Sequence, residues 1–395
     1  MSATVTSDEA IRLLVDLVQA NSEDPPGNTL ECAGIITSIL EAEGIRYEIL
    51  EPKPGIRNIV ARIPGSLGEP GSGTKLLFNG HMDTVPAGEG WTVDPFGAEI
   101  RDGYLYGRGS TDMKAGLAAS LAACVAARRK GSEFRGEIIY TAVADEEYHS
   151  QYGTKWLLNE GVSADFAINC EPTNLDICLG NRGLLMVDVL VKGRSSHGGR
   201  PNLGKNAISI ASDIINELEK IDHEASRDDN FKDPVGSLSI VGMHGGDRIN
   251  VIPDRCVFYI DRRLMPSESG ETAIRQIEDI IEKVTGVSPA MEDKDGAQIV
   301  IKPEVWHEPF WMDKNHPFVR AFILHYREHF GKEPVFEGKS AGTDASHLVK
   351  IGNIPTVIFG PGDYRRSHTV DEKVEIAQVG KAVEFYSYLI DHILR

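Results

Sequence analysis

Glu137-Ile138-Ile139-Tyr140-Thr141-Ala142-Val143-Ala144 is an apolar run of strand length, and it opens directly onto Asp145-Glu146-Glu147. Three adjacent carboxylates at the end of a buried strand sit where solvation is worst for them, and bound cations would relieve their repulsion. Outward from this strand the pattern repeats. Residues 58–63, 75–78 and 165–169 are further runs of strand length, and 112–130 is an Ala- and Leu-rich helical stretch closed by Arg128, Arg129 and Lys130 before Gly131. Ser110, Thr111 and Asp112 suit the N-cap of that helix. Strands alternating with helices predict an α/β sheet.

After Gly183 the order changes to a long strand (184–191), a helix (206–220), two strands (237–241 and 256–264) and a helix (271–284), with a last strand over 298–302. That order predicts a compact α+β insert on an antiparallel sheet. The chain then returns to helix (316–330), strand (355–359) and a final helix (374–394). A chain of 395 residues exceeds the roughly 250 to 300 at which one core stops growing. The expected organisation is therefore an α/β domain of residues 1–182 and 307–395, interrupted by a smaller domain of residues 183–306.

Composition narrows the function. The formal net charge of -18 repels polyanions, which argues against nucleic-acid and anionic-membrane partners and favours a small-molecule substrate or a second subunit. The segment from Met1 to Ser22 carries acidic residues where a secretory signal is basic, and its apolar residues fall at helical spacing. No stretch approaches the roughly 20 apolar residues of a membrane span. Cys32, Cys124, Cys170, Cys178 and Cys256 are scattered and lack CxxC spacing, which fits a soluble protein of the reducing cytoplasm rather than a disulfide framework or a thiolate metal site.

The polar residues collect at strand ends. Run 75–78 leads to His81-Met82-Asp83, and because alternate residues of an extended segment share a side, Asp83 is placed to reach the His81 ring and fix its tautomer. Run 165–169 leads to Glu171, and run 355–359 leads through Gly360-Pro361-Gly362 towards His368. Taken singly, an HxD pair fits a surface histidine and Asp112 fits an ordinary cap. Taken together, they gather at the carboxyl ends of sheet strands, where ligands bind in α/β folds. Histidine with carboxylate, and no thiolate, suits zinc, cobalt or manganese, and the paired acids suit two ions roughly 3.5 to 4 Å apart.

The segments GHMDTVP (80–86), GRGSTDMKAG (107–116), ADEE (144–147), CEPT (170–173) and GPGDYRRSHTVDE (360–372) resemble, in order and spacing, the signature segments of the M20 family of metallopeptidases, the group of acetylornithine deacetylase and succinyl-diaminopimelate desuccinylase. The resemblance covers nearly the whole chain. It implies a mixed-sheet, zinc-peptidase-like catalytic domain interrupted by a lid and dimerisation domain, and a homodimer. It further implies that His81, Asp112 and Glu171 hold one divalent ion, that Glu147, His368 and a bridging Asp112 hold the other, and that Glu146 is the general base. The histidine matching His197 donates to the oxyanion, in several members across a dimer interface. Asn250 and Arg263 match residues that hold a substrate carboxylate, and Gly342-Thr343 matches a turn whose backbone contacts substrate. Strand alternation keeps Arg262 and Arg263 on opposite sides, so only one can serve.

The chemistry implied is hydrolysis of the amide bond of an N-acyl amino acid, with a dipeptidase or carboxypeptidase as the alternative on the same metal core. A catalytically silent metal-dependent binding protein is the alternative of another class, and the glutamate beside Glu147 argues against it. The chain departs from the family pattern in Tyr148-His149-Ser150-Gln151-Tyr152, where small residues are usual, and in Met113, where many members carry a second aspartate.

Overall fold

The computed structural model describes residues 7–69, 71–148, 150–289 and 299–394; His149 and Gln298 lie outside the described residues. The chain divides into two compact units, one of residues 1–180, 312–337 and 343–395, the other of residues 181–311 and 338–342. The insert thus begins at Asn181 rather than residue 183, runs to Trp311 rather than 306, and takes back a short later segment.

The first unit is built on a six-stranded mixed sheet in the order Arg46–Lys53, Ile56–Pro64, Glu137–Val143, Lys75–His81, Phe166–Asn169, Thr356–Ile358. The last four run parallel, while the first two form an antiparallel edge. Alternation sorts the side chains of the parallel strands. Leu77, Ile139 and Ala167 face a core shared with Leu157 and Leu348 from the short helices Thr154–Asn159 and Ala345–Lys350. Phe78 and Tyr140 point the other way: the Phe78 ring meets Tyr386 of the helix Ile376–Ile393 at 5.3 Å, and the Tyr140 hydroxyl donates to the Leu117 carbonyl of the helix Ala115–Arg129. Helices on both faces bury these strands beyond their half-buried first residues Lys75, Glu137 and Phe166, and this is why those runs are apolar without alternation.

Two expectations are corrected. Asp112 does not cap a regular helix: Ser110–Lys114 is an irregular turn with Asp112 at φ −115° and ψ 99°, followed by a cis peptide to Met113, and the helix begins only at Ala115. Val374 lies in the strand Lys373–Glu375, paired with Tyr104–Tyr106, and the final helix starts at Ile376.

The second unit carries a four-stranded antiparallel sheet in the order Ser237–Gly245, Arg255–Leu264, Gly183–Lys192, Ile299–His307. The amphipathic helices Ala207–Leu218 and Gly270–Thr285 cover one face, packing Ala211, Ile214, Ile277 and Ile281 onto Val187, Val189, Phe258 and Ile260. Among the described residues no helix is long and apolar enough to cross a membrane.

Candidate metal centre and substrate-binding residues

The parallel strands of the first unit end along one edge of the sheet, and the candidate ligands follow from that. His81 is the last residue of its strand and is buried. Its Nδ1 lies 2.9 Å from the backbone carbonyl of Asp83. A carbonyl can only accept, so Nδ1 carries the proton and Nε2 of a neutral ring presents its lone pair. The carboxylate expected in this role sits farther away, with Oδ1 3.7 Å from Nδ1, and its Oδ2 instead accepts the Glu147 N–H at 3.0 Å. The HxD spacing therefore acts through the aspartate's backbone on the ring, and through its side chain on the loop that carries the glutamates.

His81 Nε2 faces Asp112 Oδ1 at 3.3 Å, Glu171 Oε1 at 3.6 Å and Glu146 Oε2 at 3.8 Å. The second oxygen of Asp112 lies 3.6 Å from His368 Nε2, which also contacts Glu147 Oε2 at 2.9 Å. Asp112 thus offers one oxygen to each histidine. Ligands held by ~2.0 Å bonds around a tetrahedral ion stand about 3.3 Å apart, close to the His81–Asp112, His81–Glu171 and His368–Asp112 separations. Donor atoms of His81, Asp112 and Glu147 lie within 4.8 Å of one another, as do those of His81, Glu146 and Glu171. The geometry alone leaves Glu146 within reach of ligation.

The electrostatics ask for cations. Burial, followed by the charges of Glu171, Asp344 and Glu147 against that of His81, holds the Glu146 carboxyl well above its usual range. Burial and then Asp112 raise Glu147, opposed by His368. Burial opposes a proton on His81, but Asp112, Glu171, Glu146 and Asp83 outweigh it and drive its pKa well above the ordinary value. His368 is pushed up to about 9, chiefly by its hydrogen bond to Glu147. Carboxylates that raise one another while drawing protons onto the histidines between them are a donor set fitted to divalent cations.

Backbone devices hold these groups. Asp145 and His368 occupy left-handed conformations at φ 64° and φ 61°, a strain that aims the following glutamates and the imidazole. The Cys170–Glu171 peptide is clamped between two glycines: a Cβ on Gly116 would lie 1.9 Å from the Cys170 carbonyl oxygen, and one on Gly360 would lie 2.4 Å from it. Asp344 is buried, accepts the Ser150 and Thr154 hydroxyls at 2.7 Å each, and is lifted to about 6 by burial. It ties down the loop that bears Glu146 and Glu147. Glu372 accepts the amides of Thr111 and Asp112. Neither acid carries a spacing signal in the sequence, although Glu372 closes the segment 360–372 and Asp344 follows Gly342-Thr343.

In the second unit, the Gly199 N–H donates to His197 Nδ1 at 3.0 Å, so a neutral His197 ring carries its proton on Nε2 as a donor. His197 pairs with Val251 in a short ladder, and the Gly198 amide donates to the Asn250 carbonyl at 2.8 Å. Arg263 and Asp261, two apart on one strand face, form a bidentate pair at 2.8 and 2.9 Å. Arg262 points to the other side, buried and bonded to Glu268. Arg182 is buried in the same unit with one Nη 3.3 Å from Ser237 Oγ, and a single arginine just before a strand gives no periodic signal in the sequence. Gly342 belongs to this unit, where a Cβ would strike the His307 ring at 2.3 Å, and Thr343 is buried in the first unit.

A family model described as peptidase family M20/M25/M40 matches residues 77–392. The chain is 27% identical over 410 residues to the N-formyl-4-amino-5-aminomethyl-2-methylpyrimidine deformylase of Bacillus subtilis (strain 168), covering 98% of this chain and 94% of that one. It is 28% identical over 414 residues to a probable succinyl-diaminopimelate desuccinylase of Staphylococcus aureus (strain MRSA252), covering 97% of each. The crystal structure of aminopeptidase PepT from Bacillus cereus superposes with a TM-score of 0.78 at 21% identity, covering 99% of this chain and 100% of that one, a likeness of fold.

Proposed function

Because the chain belongs to peptidase family M20/M25/M40, a family of metal-dependent amide hydrolases, we propose that it removes the acyl group from an N-acyl amino acid. The observation that carries this reading is Asp112, one oxygen towards His81 and the other towards His368, with Glu146 beside them. His81, Asp112 and Glu171 would hold one zinc ion and Asp112, Glu147 and His368 the other, with cobalt or manganese as substitutes. When bound, such ions lower the pKa of a coordinated water to about 7 and polarise the scissile carbonyl. Glu146 takes the proton of the attacking water and returns it to the departing nitrogen. Its carboxyl, already raised by burial, is suited to hold that proton between the two transfers.

His197, presenting an Nε2–H, is assigned to the oxyanion from the second copy of a homodimer, and Arg263 and Asn250 to the substrate carboxylate, with the Gly342-Thr343 backbone beside the substrate. Arg263 already shares its fork with Asp261, so a carboxylate must meet the guanidinium edge left over, a more selective arrangement than an open arginine. Two relatives, one named as a deformylase and the other as a probable desuccinylase, support a deacylase over a dipeptidase or carboxypeptidase. The five buried cysteine thiols fit a reducing cytoplasm. The test is turnover by the zinc-loaded protein on N-formyl, N-acetyl and N-succinyl amino acids beside dipeptides. Hydrolysis of the acyl series supports the reading, and hydrolysis of dipeptides alone overturns it in favour of a peptidase.

A further inference from the structure

Arg108 and Glu372 form a buried ion pair at 2.6 Å, and Glu372 belongs to neither of the two groups of clustered donor atoms. A buried pair rarely stabilises a fold more than apolar residues of the same shape would, because desolvation offsets the attraction. Its geometry indicates a different use. Glu372 Oε1 accepts two successive amides, Thr111 at 2.9 Å and Asp112 at 3.1 Å, and Oε2 receives Arg108 Nη1. The turn at Ser110–Lys114 departs from helical dihedrals at Asp112 and Met113, so this carboxylate supplies the acceptor that fixes the backbone there.

The same residue reaches the other ligand-bearing segment. Glu372 lies four positions after His368. Its carbonyl accepts the Gly107 amide at 2.9 Å, and the next carbonyl, of Lys373, accepts the Thr111 hydroxyl at 2.7 Å. Asp371 binds the Thr92 amide and hydroxyl at 2.8 and 2.9 Å. Arg108 completes the clamp by donating to the Ala87 carbonyl at 3.2 Å and lying over the Trp91 ring at 5.1 Å. Segments 85–97, 107–112 and 368–373 are thereby joined around one carboxylate.

We infer that Glu372, held by Arg108, is the positioning residue that aims the Asp112 carboxylate at both histidines and so sets the affinity for the two cations that share it. The inference rests on the two-cation reading above. Ligand groups must be held to within ~0.5 Å of the productive geometry, and partners behind a ligand typically govern metal affinity by about 10- to 100-fold. Glu372→Gln keeps the shape but cannot accept from the amides and from Arg108 at once; Arg108→Lys keeps the charge but loses the planar fork.

Full-length protein is stripped of metal, then titrated with zinc against a chromophoric chelator, with thermal unfolding of the metal-free form in parallel. The expected result is two ions in the wild type, and in Glu372→Gln both bound about 10- to 100-fold more weakly with the metal-free melting temperature near the wild-type value. Unchanged affinities in Glu372→Gln overturn the inference and leave the two-cation reading standing. A wild type that binds one ion overturns both. If Glu372→Gln does not fold, Arg108→Lys is titrated instead, and unchanged affinities there overturn the inference equally.

Discussion

Gly116→Ala tests how the helix Ala115–Arg129 sets the position of Glu171. In an ordinary helix this change stabilises by about 1 kcal/mol, because glycine is the poorer helix former. Here the added Cβ would lie 1.9 Å from the Cys170 carbonyl oxygen and 2.9 Å from its carbon. Carbon–oxygen contacts settle at about 3.3 Å, so helix and strand end must separate by roughly 1.4 Å. The Cys170 carbonyl cannot retreat freely, since Gly360 packs against it and the Cys170 amide is bonded to Asn79 at 2.9 Å. Overpacking of this kind costs about 1 to 3 kcal/mol, which reverses the sign expected from propensity. The displaced residue is followed directly by Glu171, and a shift of ~1 Å at a reacting centre lowers turnover by about 100-fold. Thermal unfolding and kcat of the zinc-loaded protein are the readouts. A melting temperature at or above wild type together with unchanged kcat would refute the clamp.

Mixing two inactive variants, Glu146→Ala and His197→Ala, distinguishes shared from self-contained sites. If His197 acts across a dimer, random reassortment restores about a quarter of wild-type activity, because half the dimers carry one intact site of two; no recovery after demonstrated subunit exchange assigns His197 to its own chain or to no role. Arg263→Lys should raise KM by about 10-fold or more for N-acyl amino acids, since lysine cannot reproduce a planar fork; equal KM values in the two proteins would remove Arg263 from carboxylate binding. Asp344→Ala removes the acceptor of the Ser150 and Thr154 hydroxyls and should destabilise by about 2 to 4 kcal/mol, read as a lower denaturation midpoint. An unchanged midpoint would show that the glutamate loop holds itself.

Much of this architecture was legible because burial on both faces leaves long apolar runs, and polar residues at their ends then stand out. The strand ends leading to His81, Glu147, Glu171 and His368 were visible for that reason. The strand Arg46–Lys53 was not, since it is an edge strand whose residues are all exposed or half-buried. The irregular turn at Ser110–Lys114 was hidden behind a good helical pattern, because the distortion that aims Asp112 comes from Glu372, far along the chain. Similarly, Val374 and Glu375 read as the start of the final helix, but the ladder of Lys373–Glu375 with Tyr104–Tyr106 prevails. Arg182, Asp344 and Glu372 are single charges whose meaning depends on partners distant in sequence, and no periodicity marks them.

Glu146 lies close enough to His81 and Glu171 to act as a ligand instead of a base, so its division of labour with Glu147 is open to direct test. Metal content and turnover of Glu146→Ala, measured on the same zinc-loaded preparation as the wild type, address it most directly. Two ions per chain are expected in both proteins, with kcat reduced by about 100- to 10,000-fold in the variant. Loss of an ion from Glu146→Ala would contradict that division, making Glu146 a ligand and leaving the proton transfer to another group.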